Sequence, residues 1–300
     1  MTYLPTYCAI KTVIDVGQRH AYNAASILTP QGRLIVFRGG DGESLWYGWL
    51  DDAWELRAGP YKFDVWHNDD PRLLWHEGHL CLSTCYWWDG WRRCRSELRT
   101  LNIHRERLDI SAEAKFHRVQ GLPPQLHEKN WIPFSHAGKL MYVYSIHPHR
   151  ILEVNGIGGR LSAQTSPTTL PWQIPGDLRG STNPVLIGDE YLSTFHVRDG
   201  KDYFHGFYRY RARPPFEITA MSAEPFAGPD DSAGVCWRNN NLRLLFLQSM
   251  EVAGGTLTLV GGDNDQAAIR LDMPLSEVLA KLQPVAMTNS TAVDALPMPA

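Results

Sequence analysis

The sequence predicts an all-β fold, a five-bladed β-propeller with one short C-terminal helix. Three observations lead to this prediction: a hairpin plan occurs five times, the copies recur about every 50 residues, and extended helical periodicity is nearly absent. A period of this size is typical of four-stranded sheets arranged around an axis. A β-sandwich, the alternative, would show strands at about 8–12-residue spacing without the longer period.

Each copy of the plan has a polar head, a short apolar strand, a turn and a return strand that opens on leucine. The five predicted hairpins span residues 22–38, 68–83, 128–146, 180–196 and 233–247, and their return strands begin at Leu34, Leu80, Leu140, Leu192 and Leu242. Strand-like runs between the hairpins, at 46–50, 98–103, 150–154 and 203–210, are predicted to be the third and fourth strands of the blades.

The end of the chain reads differently. Residues 274–282 place apolar side chains at helical spacing, and Ser276 is predicted to cap this helix. From residue 287 the chain is rich in Thr, Ser, Ala and Pro, which is typical of disorder. We therefore expect one propeller domain, residues 1–286, followed by a disordered tail, residues 287–300.

Charge and composition narrow the possible partners. The formal net charge is −3, the pI is about 6.5, and no long run of Lys or Arg is present. Nucleic acids and membrane surfaces are therefore not expected as partners. The N-terminus lacks a signal-peptide pattern, and the five cysteines, an odd number, favour reduced thiols. We expect a cytoplasmic protein.

The polar heads of the hairpins point to a binding site. In a propeller the first strands line the central channel in one direction, so their heads form a ring at one mouth. The predicted ring comprises Asn23, Asp69, Asp70, Glu128, Lys129, Asn130, Ser181, Thr182, Asn183 and Asp230 or Asp231, with Arg38, Tyr144, Ser145, His147 and His196 from the ends of second strands. Amides and carboxylates suit the vicinal hydroxyls of a sugar, and carboxylates can transfer protons. The ring therefore predicts a carbohydrate site.

Two carboxyl groups from different blades, Asp70 and Glu128, are candidates for acid and base across the channel. A separation of about 6.5–9.5 Å would leave room for a water and give inversion, whereas about 5 Å would give retention. Asp70 precedes Pro71, so a plain strand-entry turn is the alternative. Arg72 is a candidate either for sugar contact or for orienting Asp70. No His-x-x-x-His helix is present, so neither a metal nor a cofactor is expected.

Five motifs in chain order carry a family resemblance. They are Tyr22-Asn23-Ala24-Ala25-Ser26 with Phe37-Arg38, Asp69-Asp70-Pro71-Arg72, Glu128-Lys129-Asn130-Trp131-Ile132-Pro133-Phe134, Asn183-Pro184 before Phe195-His196, and Gly261-Gly262-Asp263-Asn264-Asp265. Over roughly residues 15–285 the chain resembles glycoside hydrolase family 130 and its relatives. The resemblance implies a five-bladed propeller that acts on β-mannosides as an inverting phosphorylase or hydrolase.

The resemblance also implies roles for individual residues. Asp70 matches the general acid, and Asp69 stands where the family usually has Glu. Asn23 and Arg38 match positions that hold the sugar at the cleavage point, and other matches lie near the substrate or the nucleophile. The full set of expected substrate-binding residues is Asn23, Arg38, Asp69, Arg72, Lys129, Asn130, His147, Asn183, His196 and Asp265. Asn23 replaces an aspartate of related propeller glycosidases, which argues against their three-acid mechanism.

One departure from the family pattern bears on the choice between hydrolysis and phosphorolysis. Family members that use phosphate carry an arginine at the end of the third blade's second strand, whereas here 144–148 contains none before Arg150. The sequence therefore favours an inverting hydrolase of a β-mannoside-type or related oligosaccharide, with Asp70 as proton donor and Glu128 as base or substrate anchor. The alternatives are an inverting phosphorylase that uses inorganic phosphate and a non-catalytic carbohydrate-binding propeller associated with glycan synthesis.

Overall fold

The protein is a five-bladed β-propeller. The computed structural model describes residues 7, 9–40, 44–66, 68–89, 92–111, 115–116, 118–120, 127–155, 158–167, 169–232 and 243–286. Its strands form five sheets, and the innermost strands of neighbouring sheets contact one another in a ring. The predicted fold class is confirmed.

The strands are numbered along the chain. β1 (Ile10–Ile14) comes first, and blade 1 follows with β2 (Tyr22–Thr29), β3 (Gly32–Gly39), β4 (Ser44–Leu50) and β5 (Leu56–Trp66). Blade 2 contains β6 (Asn68–His76), β7 (His79–Trp88), β8 (Arg93–His104), β9 (Arg107–Ile110) and β10 (Lys115–Phe116). Blade 3 contains β11 (Arg118–Gln120), β12 (Ile132–His136), β13 (Lys139–Ser145), β14 (His149–Asn155) and β15 (Gly158–Thr165).

The last two blades include the C-terminal helix. Blade 4 contains β16 (Arg179–Gly180), β17 (Val185–Ile187), β18 (Glu190–Asp199), β19 (Asp202–Arg211) and β20 (Ile218–Ser222). Blade 5 contains β21 (Leu245–Ala253), β22 (Thr256–Asp263) and β23 (Ala267–Pro274), followed by α1 (Leu275–Ala280) and β24 (Leu282–Pro284). The four strand-like runs predicted between hairpins fall in β4, β8, β14 and β19, which are the third strands of their blades.

The two ends of the described chain complete the outer edges of two blades. β1 pairs antiparallel with β23, with Ile10 opposite Asp272, and so becomes the outermost strand of blade 5. β24 pairs antiparallel with β20 at the edge of blade 4. The ring is thus closed by a strand from the beginning of the chain.

The fifth predicted hairpin is wrong in register. We expected the run up to Leu247 to be a return strand, but β21 is the innermost strand of blade 5, and its turn is Gly254-Gly255, where both residues have positive φ (56° and 80°). A buried inner strand is as apolar as a return strand, so the pattern did not distinguish them. The predicted first strand, 233–237, and its turn at 239–241 lie outside the described residues.

Two smaller predictions near the C-terminus are also wrong. Asp230 and Asp231 lie in a short 3₁₀ turn, Pro229–Asp231, instead of at a strand head, and Asp230 pairs with Arg243 at 3.4 Å. The helix is confirmed, but its N-cap is Pro274, which makes no side-chain cap, and Ser276 lies inside the first turn. No helix in the described part of the chain is long and apolar enough to cross a membrane.

The hydrophobic core is divided among the spaces between neighbouring blades. Its largest cluster joins blades 3 and 4, and the next joins blades 4 and 5. Large aromatic side chains such as Trp49, Tyr142, Phe195, Phe207 and Tyr208 are fully buried there. Wide side chains fill the gap of about 10 Å between packed sheets, so most of the aromatic content serves packing.

Two buried histidines connect successive blades and should make stability depend on pH. His149 Nδ1 donates to the Phe216 carbonyl and His205 Nε2 to the Leu245 carbonyl, both at 2.8 Å. Burial lowers the pKa of each imidazole from 6.5 to about 4. The unfolded chain therefore binds more protons below about pH 6.5, and the free energy of unfolding should fall between about pH 6.5 and 4, by on the order of 2 kcal/mol per histidine at pH 5.

Urea unfolding at pH 7 and pH 5 measures this effect. His205→Gln removes one titrating group while keeping a side-chain donor, so the stability difference between the two pH values should shrink. His79→Gln, at an exposed position, is the control and should leave the difference unchanged. An unaltered difference in the His205 variant would show that another group causes the acid sensitivity.

Candidate functional site

A polar chamber opens at the mouth of the propeller where the inner strands begin. Its volume is about 410 Å³. The lining residues are Asn23, Arg38, Asp69, Asp70, Lys129, Asn130, Asp177, Arg179, His196, Arg198, Tyr203, Leu244, Phe246 and Asp265. We call this space the axial chamber. Eight of the twelve residues predicted from sequence to form the site lie in its wall.

Three of the strand heads share an unusual backbone conformation. Asn23, Asp70 and Asn130 have positive φ values of 47°, 53° and 64°. The pairing register shifts where Asn23 enters β2 and where Asp70 enters β6, as in a β-bulge. A bulge takes a residue out of the ladder and re-aims its side chain, and Asn and Asp tolerate the left-handed region better than most residues. The side chains at these strand heads can therefore face the chamber instead of taking part in the sheet.

Blade 5 contributes Asp265 through a tight approach to blade 1. A Cβ atom at Gly262 would lie 2.3 Å from the backbone nitrogen of Asn23, so only glycine allows β22 to pass the head of β2. Two residues further along the chain, Asn264 exchanges two hydrogen bonds, of 2.8 and 2.9 Å, with the backbone of Leu244. This fixed turn holds Asp265, with φ 55°, in the chamber wall.

Asp70 is held by residues of its own blade and of two other blades. Its carboxylate oxygen Oδ1 accepts hydrogen bonds from Asn23 Nδ2 at 3.0 Å and from Gln248 Nε2 at 3.5 Å. Its backbone carbonyl accepts from Arg72 Nη1 at 3.3 Å. The side chain is buried yet lines the chamber, which gives a fixed carboxylate at the wall of a cavity.

The adjacent Asp69 has a different environment. Its Oδ1 is 2.8 Å from Arg38 Nη2, and its Oδ2 accepts from Trp87 Nε1 at 2.9 Å. Burial lowers the pKa of Arg38, but the neighbouring carboxylates, with Asp69 first, raise it above its ordinary value, so this guanidinium stays charged. Asp69 is therefore ion-paired, whereas the side-chain hydrogen bonds of Asp70 come from neutral amides. Adjacent carboxyls in unlike surroundings can take unlike roles.

An aromatic wall includes a neutral histidine. The His196 ring stacks on Tyr203 at 5.7 Å between centroids, touches Phe246 edge-on, and places Nδ1 2.9 Å from Ser181 Oγ. Burial first, and then the charges of His205 and several cations, lower the His196 pKa well below 6.5. His196 thus offers hydrogen bonds without a charge beside an apolar surface, a combination that suits a sugar ring.

A second space, which we call the side pocket, adjoins the chamber. Its volume is about 470 Å³, and it shares Lys129, Asn130, Asp177 and Arg179 with the chamber wall. Its other lining residues are His127, Glu128, Trp131, Tyr144, Ser145, His147, Pro148, Arg150, Leu178 and Gly180. The predicted site residues Glu128 and His147 lie here, so Asp70 and Glu128 occupy adjoining pockets.

Glu128 is engaged within the side pocket. Its Oε1 accepts a hydrogen bond from the Tyr144 hydroxyl at 3.5 Å. Burial, followed by the Glu128 charge, raises the pKa of Tyr144, so the phenol stays protonated and can donate. Arg150 Nε donates to Gln164 Oε1 at 2.8 Å.

Arg72 and Asn183 line neither space. Arg72 Nε donates to the Ser181 carbonyl at 2.9 Å, and Asn183 Nδ2 donates to the Leu73 carbonyl at 3.0 Å. Both residues therefore tie blade 2 to blade 4 across the axis. Burial lowers the pKa of Arg72, and the nearby Asp70 charge opposes that effect. Arg72 Nη1 also donates to the Asp70 backbone carbonyl, and both roles considered for Arg72 stay predictions.

Several wall residues were not predicted from the sequence. They are Asp177, Arg179, Arg198, Tyr203, Leu244 and Phe246, together with Gln248 behind Asp70. Arg198 was detectable, because it lies two residues after His196 and strand alternation puts both on one face. Asp177 and Arg179 follow an irregular segment, for which no periodicity exists. Among the described residues, no group of three or more His, Cys, Asp or Glu side chains is arranged to hold a metal ion.

The chain was compared with known proteins. No protein-family model matches it, and no curated protein matches it. Solved structures do: a β-1,2-mannobiose phosphorylase from Listeria innocua in complex with β-1,2-mannobiose is 13% identical, with a TM-score of 0.60 over 90% of this chain and 92% of that one. A structure from the GH130 family of mannoside phosphorylases, which contains glycoside hydrolases that target β-1,2-mannosidic linkages in Candida mannan, is 12% identical, with a TM-score of 0.64 over 90% and 86%.

The same fold is shared with enzymes for other sugars. An α-L-arabinofuranosidase from Lactobacillus brevis is 13% identical, with a TM-score of 0.57 over 87% of this chain and 92% of that chain. At identities this low, the similarity establishes the fold alone, a five-bladed propeller that the structure from the GH130 family shares. Activity has to be argued from the site itself.

Proposed function

We propose that this protein is a glycosidase that hydrolyses a β-mannoside-type oligosaccharide with inversion. The observation that carries the proposal is Asp70, a buried carboxyl held in a fixed orientation at the wall of a sugar-sized polar chamber. Amide, imidazole and aromatic groups around it match the hydroxyls and apolar faces of a pyranose. The mannoside class is supported by the phosphorylase from Listeria innocua and the GH130 structure among the similar folds.

The two spaces suggest how a substrate would lie. A sugar in the axial chamber would place its glycosidic oxygen at Asp70, and the next sugar would extend into the side pocket past Lys129 and Arg179. Asp70 then donates its proton to the leaving oxygen while a water attacks the opposite face of the ring. Glu128 acts from the side pocket as base or substrate anchor, and Asp265 is a further carboxylate in the chamber of Asp70.

Phosphorolysis is the second candidate, and one observation favours it. Lys129 and Arg179 line both spaces, and His147 and Arg150 line the side pocket. These side chains supply hydrogen-bond donors, and Lys129, Arg150 and Arg179 are cationic, so together they could hold a phosphate ion at the boundary between the chamber and the side pocket. This arrangement offsets the missing arginine at the end of β13, which favoured hydrolysis at the level of sequence.

Product analysis by NMR separates these functions. The protein would be incubated with β-linked manno-oligosaccharides, with and without inorganic phosphate. Hydrolysis with inversion should release mannose without phosphate, and the first-formed anomer should be α. Mannose 1-phosphate formed only with phosphate would establish the second candidate. Binding without turnover of any glycoside would instead identify a non-catalytic carbohydrate-binding propeller.

A further inference from the structure

Gln248 lies behind Asp70 on the innermost strand of blade 5. It is fully buried on β21, at the point where pairing with β22 shifts between Leu247 and Ser249. Its Nε2 donates to Asp70 Oδ1 at 3.5 Å, and its Oε1 has no hydrogen-bond partner among the described residues. Among the described residues, the Gln248 amide therefore makes one hydrogen bond, and Asp70 accepts it.

Packing alone does not account for a glutamine at this position. Burying an amide that is only partly hydrogen-bonded is unfavourable, and an aliphatic side chain would fill the same place without that cost. Asn23 from blade 1 donates to the same oxygen of Asp70, at 3.0 Å. Two amides from different blades thus converge on Oδ1 of one carboxyl group.

We propose that Gln248 is a positioning residue for Asp70. Together, Gln248 and Asn23 keep the proton of the Asp70 carboxyl group on Oδ2. This inference rests on the proposed function. With Oδ1 accepting two hydrogen bonds, Oδ2 carries the proton and delivers it to the glycosidic oxygen as the bond from that oxygen to C1 breaks. The carboxylate left behind keeps both amide donors. We expect the 3.5 Å contact to shorten when substrate binds, as catalytic hydrogen bonds commonly do.

Leaving-group dependence tests the proposal. Gln248→Met keeps the length of the side chain and removes the donor, and Gln248→Asn keeps an amide but withdraws it from Asp70. Each variant is assayed on a β-mannoside with a sugar leaving group, which needs a proton, and on 2,4-dinitrophenyl β-mannoside, which does not. We expect kcat/KM to fall about 100-fold on the first substrate, as for a misplaced catalytic group, and less than about 3-fold on the second.

Ser249→Ala is the matched control. Ser249 Oγ accepts from the Ser26 amide at 2.9 Å, so this change breaks a buried hydrogen bond between β21 and β2 without touching Asp70. The ratio of kcat/KM between the two substrates should stay at the wild-type value.

The outcomes separate this inference from the proposed function. Equal losses on both substrates, or no loss, in the Gln248 variants would overturn the positioning role. If Gln248→Met does not fold, the kcat/KM values of Gln248→Asn on the two substrates test the same role. Asp70→Asn, measured in parallel, must lose activity mainly on the substrate with the sugar leaving group. If it does not, the proposed function fails, and the role of Gln248 fails with it.

Discussion

Replacing Asp70 with asparagine should lower kcat on a manno-oligosaccharide by about 1000-fold, the scale of a lost general acid, with little change in sugar affinity. Asparagine has the shape of aspartate, and its side-chain oxygen can still accept from Asn23 and Gln248. Its amide nitrogen cannot give a proton to a leaving oxygen. Steady-state kinetics, together with calorimetric titration of product mannose, measures the two effects separately.

A surface carboxyl provides the control for this substitution. Asp189→Asn changes a side chain that is 79% exposed and paired with Arg211, and it should leave kcat unchanged. If Asp70→Asn keeps more than about a tenth of the activity while Asp265→Asn abolishes it, the proton donor is Asp265 instead.

Removing Arg38 should have the largest effect on stability. Arg38→Met leaves the carboxylate of Asp69 without its ion pair, and the side chains of the pair are only 5% and 14% exposed. Breaking a buried pair from one side costs on the order of 3–5 kcal/mol, because the remaining charge is buried unpaired. Adding Asp69→Asn to Arg38→Met should restore part of the loss. Urea unfolding of the wild type, both single variants and the double variant measures the coupling.

An exposed pair sets the scale for comparison. Arg57 and Glu106 are 3.9 Å apart, with side chains 44% and 53% exposed, so Arg57→Met should cost no more than about 1 kcal/mol. Equal destabilisation by Arg38→Met and Arg57→Met, or no recovery in the double variant, would show that the pair at the chamber wall contributes no more than a surface contact.

The features predicted correctly are those encoded by local pattern. Polar heads, turns and apolar return strands identified four of the five hairpins, because side chains alternate across a strand and turns need specific residues. The strand predicted at residues 203–210 was correct for the same reason, and it corresponds to β19. Since inner strands run in one direction, Asn23, Asp70 and Asn130 could be placed at one mouth without knowing any distance.

The features that escaped prediction depend on contacts between distant parts of the chain. The bulge before Arg72 changes which side chains face the chamber. Arg72, a candidate either for sugar contact or for orienting Asp70, lines neither space and bonds to blade 4. Gln248 was not recognised, because the fifth hairpin was out of register. Asp177 and Arg179 follow an irregular segment whose path is set by packing, such as the burial of Trp172 against Phe195.

The closing of the ring by β1 has a consequence for how the chain folds. Residues Ile10 and Asp272, which pair in the sheet, lie at nearly opposite ends of the sequence. On a ribosome β1 emerges before blades 1 to 4, whereas its partner β23 emerges only after those four blades have been made. Contacts between such distant residues form slowly, since the entropy of closing a long loop must be overcome first. The pairing between β1 and blade 5 is therefore expected to form last in folding. Until then Ile10 and Val13 have no sheet partner, and both side chains stay more than 60% exposed even in the finished ring.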